Sequence, residues 1–263
     1  MTTRPNYEDI LAKLIADGAL FFVSHSGGKD SQAMYAIVCN VVPADQIIVV
    51  HADLGEVEWP GVQDHIRANT HHPVNVVRAG KTLLEMVERR HESRPEVPSW
   101  PSPGTRQCTS DLKRGPIQKF IRHAMKERGA TLAVNCVGLR AAESSSRAKR
   151  DPWTLNKALS KAGRAVYDWL PIHEFPDSHV FDTIKRAGQK PFWAYAAGNK
   201  RLSCMFCIMG CQSDLENAAR HNPELAEKYI ALEQKTGYSM FHGESLAEKL
   251  AKRSNAAGQL KLI

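Results

Sequence analysis

The chain has 263 residues, a formal net charge of +7, 43% hydrophobic residues and 24% charged residues. This balance is typical of one large globular domain, or of one domain with a small appendage. No apolar stretch reaches the roughly 20 residues that span a bilayer, and the first residues lack the apolar core of a secretory signal. We therefore expect a cytoplasmic protein with no membrane partner.

Strand-like and helix-like segments alternate over most of the chain, which predicts a parallel sheet flanked by helices. The predicted strands are Ala19–Ser24, Gln46–His51, Val74–Arg78, Thr131–Val137 and Ala165–Leu170. The predicted helices are Tyr7–Asp17, Asp30–Val42, Trp59–Thr70, Lys81–His91 and Asp111–Arg128. The fold class is therefore α/β, with a parallel five-stranded, Rossmann-like sheet.

A glycine motif separates the first predicted strand from the helix that follows it. Glycines at a helix start let the backbone approach an anion, and the helix dipole favours negative charge there. The motif therefore predicts a phosphate site, formed by Ser26, Gly27, Gly28, Lys29, Asp30 and Ser31. A second segment, Gly80-Lys81-Thr82, ends like a Walker A loop, but Asn75 occupies the position where that loop requires glycine. We interpret Thr82 as the start of a helix.

Residues after the second and fourth strands should share an edge with the glycine motif, because ligands bind outside the carboxyl ends of parallel strands. Asp53 could hydrogen-bond a ribose or help hold Mg²⁺, or it could cap the next turn. Arg140 and Arg147 are candidate phosphate clamps, or they are solvent-facing charges.

Two irregular stretches interrupt the alternation. Residues 93–104 carry four prolines, and residues 144–164 are polar and basic; such loops are binding loops in some proteins and insertions in others. No strand is predicted from residue 183 onward. We therefore predict a nucleotide-binding α/β domain over residues 1–182 and a small helical segment over 183–263.

Six cysteines in a chain expected in the cytoplasm point to metal binding or catalysis. Three form a compact set at C-x2-C-x3-C spacing: Cys204, Cys207 and Cys211. Cys108 is the best fourth ligand, because we expect it at a helix start, where the dipole and three nearby cations stabilise a thiolate. These cations are Arg106, Lys113 and Arg114. An all-cysteine site suits a 4Fe–4S cluster or a structural zinc ion. Cys39 and Cys136 are expected to be buried apolar residues.

Basic residues cluster near residues 140–150 and 185–201. Such clusters suit nucleic acid or a polyphosphate ligand, or they form a solvated basic face. The sequence therefore permits binding of nucleic acid without showing it.

With these motifs the chain resembles the PAPS reductase (sulfonucleotide reductase) family of the PP-loop ATP pyrophosphatases, which split ATP to activate an oxygen for displacement. The resemblance rests on SGGKDS at 26–31, RQCTSDLKRGP at 106–116, GLRAAES at 138–144, LPI at 170–172 and RLSCMFC at 201–207. Cys108, Cys204 and Cys207 match the family's cluster positions. The resemblance therefore implies a 4Fe–4S cluster rather than zinc, with Cys211 as the remaining ligand.

Two departures from the typical reductases shape the expected activity. The chain has no cysteine after Cys211, where those reductases carry a nucleophile, and its glycine motif is intact, which implies use of ATP. Both features favour the relatives of DNA phosphorothioation, tRNA thiolation and phage genomes.

The implied protein is a sulfurtransferase that adenylates nucleic acid and receives sulfur from a cysteine desulfurase or another donor. Lys29, Asp30 and Arg140 would be catalytic, with ATP as substrate and Mg²⁺ as counterion. A sulfonucleotide reductase and a non-catalytic nucleotide-binding regulator remain the alternatives. The sequence does not indicate the oligomeric state.

Overall fold

The computed structural model describes residues 7–259, with side chains through residue 252. The outer ends of the two predicted domains, residues 1–6 and 260–263, lie outside the described residues. None of the helices in the described part of the chain is both long and apolar enough to cross a bilayer.

A six-stranded sheet organises the first part of the chain, in the order β3-β2-β1-β4-β6-β5. Its strands are β1 Leu20–Ser24, β2 Ile47–Asp53, β3 Val74–Arg78, β4 Leu132–Cys136, β5 Trp153–Leu155 and β6 Ala165–Trp169. β1 pairs in parallel with β2 and β4, and β4 pairs in parallel with β6. The predicted α/β fold and its five strands are confirmed.

The sixth strand, β5, lies within residues 144–164, whose polar and basic sequence predicts an irregular loop. It pairs antiparallel with β6, so that Trp153 faces Trp169 across the pair and the two rings stack at 5.2 Å. Three residues are too few for an alternating pattern to be visible in the sequence. The indole stack supplies the cross-strand packing that holds this edge strand in register.

Twelve helical segments accompany the sheet in the described residues: α1 Tyr7–Ala16, α2 Lys29–Val41, α3 Val62–Ala68, α4 Leu83–Ser93, α5 Gln107–Thr109, α6 Gly115–Glu127, α7 Ser145–Ala148, α8 Asp177–Arg186, α9 Trp193–Ala196, α10 Gln212–His221, α11 Pro223–Thr236 and α12 Leu246–Gln259. A π-helical turn, Ser110–Arg114, joins α5 to α6. Thr82 caps α4, since its hydroxyl accepts from Glu85 N while the Glu85 carboxylate accepts from Thr82 N. This capping box confirms the helix-start interpretation of Thr82.

The chain forms two compact units. The first contains residues up to 52, 61–77 and 116–192; the second contains 53–60, 78–115 and the residues from 193. The expected boundary after residue 182 falls inside α8. The second unit therefore draws its Cys108 segment from the middle of the chain as well as its helices from the end.

The core of the first unit lies on both faces of β1. Phe21 and Val23 join one buried apolar cluster with residues of α2, whereas Leu20 and Phe22 join a second cluster with residues of α6. Successive side chains of a strand point to opposite faces, so a strand covered on both sides is apolar throughout. This burial fixes the end of β1, from which the glycine motif begins.

Candidate functional site

The glycine motif folds into a compact loop between β1 and α2. Gly27 has φ +76°, in the left-handed region that glycine adopts without a steric penalty. Its N–H donates to His25 Nδ1 at 3.1 Å, and Ser26 N donates to Ser31 Oγ at 3.1 Å. Ser31 Oγ in turn donates to Gly28 O at 2.8 Å. The loop is therefore held in shape by its own hydrogen bonds.

The loop leaves the start of α2 open. Gly28 is the N-cap residue, and no side chain caps the helix there. The first-turn N–H groups of a helix have no partner within the helix and carry the positive end of its dipole. The hydroxyls of Ser26 and Ser31 lie beside this end, 3.3 Å apart. This arrangement leaves the N–H groups of the first turn of α2 without a side-chain cap, as the predicted phosphate site requires.

Gly138, after β4, lies against the loop backbone. A Cβ at this position would meet Asp30 O at 3.1 Å, Asp30 C at 3.2 Å and Ser31 N at 3.4 Å. A glycine here therefore lets the segment after β4 approach the start of α2 closely. The sequence placed both segments at one sheet edge, and the structure brings them into contact.

Four charged side chains form a network beside the loop. Lys29 Nζ lies 3.0 Å from Asp30 Oδ1 and 3.3 Å from Asp177 Oδ1. Arg140 Nε donates to Asp30 Oδ1, and Arg140 Nη2 donates to Asp177 Oδ1, both at 2.7 Å. Two cations and two carboxylates are thus interleaved, which offsets the cost of burying Lys29 and Arg140.

Arg140 is more deeply placed than sequence reasoning anticipated. It is 3% exposed, and its Nη1 donates to Phe175 O at 3.0 Å. It is therefore not a solvent-facing charge, and its N–H groups orient Asp30 and Asp177. Arg147, the weaker candidate clamp, forms an ion pair with Glu143.

Asp177 belongs to this network and was missed from the sequence. It is the first residue of α8, an ordinary position for a carboxylate that complements a helix dipole. Partial burial opposes ionisation, yet the charges of Lys29 and Arg140 lower its pKa. In the sequence, Asp177 is an acidic residue at a helix start, and nothing near it indicates that it pairs with Lys29 and Arg140.

His25 is a second residue that sequence reasoning missed. It is 2% exposed and lies directly before the glycine motif. Burial, together with repulsion from His51 and His65, lowers its pKa to about 3. The imidazole is therefore neutral near pH 7, which keeps Nδ1 available as the acceptor for Gly27 N.

Asp53 ends β2 and belongs to the second unit. Its Oδ2 accepts from Arg78 Nε at 3.0 Å, and its Oδ1 accepts from Gly55 N at 2.7 Å. Gly55 has φ +66°, so the carboxylate supports a tight turn. These contacts favour the turn-capping alternative over a ribose or Mg²⁺ role.

Three of the four predicted cysteine ligands lie together in the second unit. The Cys204 thiol donates to Cys207 Sγ; this bond raises the pKa of buried Cys204 and lowers that of Cys207. Cys108 interacts electrostatically with both, and Lys113 acts on all three as a nearby positive charge. The site is thus a partly buried group of soft sulfur ligands beside a cation.

The expectation of a stabilised thiolate at Cys108 is wrong for the protein without a bound group. Burial raises the pKa of Cys108, and the opposing effect of Lys113 is smaller. Cys108 lies in the first turn of a helical run that continues from α5 through the π-helical turn into α6, so its expected position at a helix start is confirmed. The raised pKa of Cys108 therefore reflects desolvation, which outweighs the nearby positive charge of Lys113.

Cys211 makes contacts of a different kind. It is the N-cap of α10, where its side chain accepts from Asp214 N, and its Sγ lies 3.2 Å from Ser213 Oγ. Within the described residues, no three His, Cys, Asp or Glu side chains converge as ligands of one metal ion. Of the two remaining cysteines, Cys136 is buried as expected, and Cys39 is half-buried.

Two buried hydrogen-bond donors of the second unit, on rings that stack on each other, have no partner among the described residues. They are Tyr229 Oη and Trp100 Nε1, on residues that are 0% and 5% exposed. Tyr229 interacts electrostatically with Cys204, Cys207 and Cys108. Soft thiols flanked by unsatisfied donors fit a group that is rich in sulfide, as a 4Fe–4S cluster is.

The mostly parallel sheet, the glycine loop at a strand end and the open helix start define an α/β fold with a loop of the kind that binds phosphate in other proteins. Residues 21–209 match the model of the phosphoadenosine phosphosulfate reductase domain. The chain belongs to this family, as its motifs indicated.

Comparison with individual proteins gives three similarities. The chain is 28% identical to an uncharacterized 37.8 kDa protein of Escherichia phage 186, over 90% of this chain and 84% of the relative. It is 26% identical to uncharacterized protein MJ0066 of Methanocaldococcus jannaschii, over 79% of this chain but only 40% of that relative's length. A PAPS reductase structure from Candida auris shares 13% identity at a TM-score of 0.49, over 76% of this chain and 88% of that one.

Proposed function

We propose that this protein is a PP-loop ATP pyrophosphatase-type sulfurtransferase that adenylates an oxygen of a nucleic acid and exchanges it for sulfur. The observation that carries the proposal is the glycine loop itself: an uncapped helix start with buried Lys29 beside it. The family supports the coarser assignment to sulfonucleotide and nucleotide chemistry. The intact loop supports ATP as the nucleotide.

In this proposal the ATP pyrophosphate lies on the amides from Gly28 to Ser31, and Lys29 offsets its charge, while the Gly27 N–H remains bonded to His25. The substrate oxygen attacks the α-phosphorus, the bond from that phosphorus to the bridging oxygen breaks, and pyrophosphate leaves. A sulfur nucleophile then displaces AMP together with the original oxygen. Preorganised N–H groups and cations stabilise the charge that develops on the leaving pyrophosphate.

Asp53, one of whose alternative roles is to hold Mg²⁺, and Asp30 of the glycine loop are both poor ligands for that ion in this arrangement. Asp30 accepts from Lys29 and Arg140, and Asp53 accepts from Arg78 and Gly55 N. Each negative charge is therefore already compensated. Asp30 is therefore better described as a group that positions Lys29 than as a ligand of Mg²⁺, and Arg140 as the residue that holds Asp30 in place.

Cys108, Cys204 and Cys207 would hold a 4Fe–4S cluster, and such a cluster supplies iron with a high affinity for sulfur when bound. Their grouping in one partly buried site beside Lys113 supports this part of the proposal. The sulfur donor is a cysteine desulfurase or another persulfide source. The exposed members of the two basic clusters support nucleic acid as the acceptor, whereas buried Arg140 and paired Arg147 do not. The exposed members are Lys149, Arg150, Lys185, Arg186, Lys190, Lys200 and Arg201.

The test is release of pyrophosphate from ATP, measured with and without tRNA and duplex DNA. Lys29→Ala should lower the rate at least about a hundredfold, because one preorganised charge contributes a few kcal/mol to such a transition state. Lys13→Ala is the matched control, since Lys13 is an exposed lysine of the same unit, paired with Asp17.

Two results would contradict the proposal. Release of sulfite from adenylyl sulfate with thioredoxin, without cleavage of ATP, would identify a sulfonucleotide reductase. ATP binding that Lys29→Ala abolishes, without cleavage under any condition, would identify a nucleotide-binding regulator.

A further inference from the structure

Tyr229 places an unsatisfied hydroxyl beside the cysteine loop. The residue lies within α11 and is 0% exposed, and its Oη has no partner among the described residues. Its ring centroid lies 5.1 Å from that of Phe206. Phe206 stands between Cys204 and Cys207 in the sequence, so the phenol packs against the loop that carries these two thiols.

Trp100 adds a second donor to the same place. Its indole stacks on the Tyr229 ring, with centroids 5.5 Å apart and an interplanar angle of 26°. Its Nε1 is also buried and unpartnered within the part of the chain that the structure describes. An indole N–H can only donate, so only an acceptor can satisfy it.

Two adjacent donors without acceptors are costly in a folded protein. Most buried polar groups are hydrogen-bonded, and each exception needs an explanation such as an absent ion or water. Oη also interacts electrostatically with Cys204, Cys207 and Cys108. The missing acceptor is therefore expected on the side of the thiols.

We propose that Tyr229 Oη–H and Trp100 Nε1–H donate hydrogen bonds to the sulfur atoms of the 4Fe–4S cluster and thereby raise its reduction potential. The inference rests on the proposed cluster and adds two positioning residues to it. Donors to cluster sulfur stabilise the reduced state more than the oxidised state, because reduction adds negative charge to the cluster. The two aromatic residues would thus set how readily the cluster accepts an electron.

The experiment is a spectroelectrochemical titration of the cluster-loaded full chain. Tyr229→Phe keeps the ring and its packing and removes only the hydroxyl. We expect unchanged iron per chain and a fall of about tenfold in the ratio of reduced to oxidised cluster at a fixed potential, which is 59 mV for one electron. Trp100→Phe should shift the midpoint in the same direction.

Tyr238→Phe is the matched control. It makes the same chemical change in the same unit, but its hydroxyl is exposed and donates to Pro95 O at 3.2 Å. Its midpoint potential should equal that of the unsubstituted protein. In cluster-free protein, Tyr229→Phe should unfold at the same or a higher denaturant concentration, because the hydroxyl it removes is unpaired there.

Two outcomes overturn the inference, and they are distinguishable. Equal potentials at full iron content would show that both donors are satisfied by water, and the proposed cluster would stand. Anaerobically prepared protein without iron or sulfide would overturn the cluster and this inference together. Pyrophosphate release would still report separately on the glycine loop.

Discussion

Arg140 donates from Nε to the Asp30 carboxylate at 2.7 Å, across 110 positions of sequence. The bond joins the segment after β4 to the first turn of α2, and Arg140 Nη2 extends it to Asp177 at the start of α8. Three chain segments of the first unit are therefore tied together by one guanidinium. Its role is the organisation of the loop that carries Lys29.

Arg140→Lys should weaken this connection while keeping its charge. A lysine cannot bridge Asp30 and Asp177 and also reach Phe175 O, since it lacks the planar fork. We expect a loss of about 1–3 kcal/mol in the free energy of unfolding, at the low end of values for buried pairs because Asp177 is exposed to solvent. Urea unfolding measures this loss. Arg67→Lys, in an exposed pair with Asp64, should change stability little; an equal loss in both variants would contradict the prediction.

Gly138→Ala tests the close approach to the glycine loop. The added Cβ lies 3.1 Å from Asp30 O, so the start of α2 must shift by a few tenths of an ångström. We expect about 1–3 kcal/mol of destabilisation, as for other overpacked sites, and weaker ATP binding by calorimetry. Gly80→Ala is the control, since a Cβ there meets nothing within 4 Å. An unchanged ATP affinity in Gly138→Ala would show that the approach does not shape the site.

His25→Asn tests the pH dependence of folding. The pKa of His25 is about 3 in the folded protein and near 6.5 when unfolded. Between these values the unfolded chain binds a proton that the folded chain excludes. Stability from this residue is therefore complete above pH 6.5 and falls toward pH 3, by up to about 1.4 kcal/mol per pH unit.

Asparagine keeps an acceptor for Gly27 N and cannot take up a proton. For His25→Asn, the plot of unfolding free energy against pH should therefore be flatter between pH 6 and 4 than for the unsubstituted protein, by the slope that corresponds to about one bound proton. His123→Asn, at an exposed position of α6, should keep the original slope. Parallel plots for His25→Asn and the unsubstituted protein would show that His25 is not buried in neutral form.

Comparing the iron content of Cys207→Ser and Cys211→Ser tests whether three or four cysteine thiols bind the proposed cluster. Cys207 lies with Cys108 and Cys204, so its substitution should abolish most bound iron and the brown absorbance. Cys211 caps α10, and serine is a good cap residue, so Cys211→Ser should keep iron content and stability. Iron and sulfide analysis of anaerobically purified protein gives the answer. Equal iron loss in both variants would restore Cys211 as the fourth ligand.

Much of the fold was predictable because its signals are local. The buried strand β1, the glycine motif and the Thr82–Glu85 capping box are all encoded within a few neighbouring residues. β5 was not predictable, because its pairing depends on the stacking of Trp153 against Trp169.

The candidate site was predictable only in part. Lys29 and the glycines follow from the motif, but the partners of Lys29 include Asp177, which no local pattern marks. The roles of Arg140 and Cys108 depend on burial, which local sequence does not show. Arg140 is buried and bonds to two carboxylates, and burial raises the pKa of Cys108 although Lys113 lowers it. Tyr229 belongs to none of the sequence motifs. Its proposed role rests on a buried hydroxyl without a hydrogen-bond partner, which only the structure shows.

The ion network beside α2 sets a condition on the proposed function, because a phosphate at the glycine loop would meet cations that already have carboxylate partners. Lys29 and Arg140 already share Asp177, so an incoming phosphate competes with a resident carboxylate for the same cations. The affinity of the loop for phosphate would then depend on how much more strongly Lys29 and Arg140 bind phosphate than they bind the Asp177 carboxylate. A phosphate group with two negative charges would therefore bind more tightly than one with a single charge. Binding of phosphate at the loop would also affect α8, because Asp177, whose carboxylate the phosphate would displace, is the first residue of that helix.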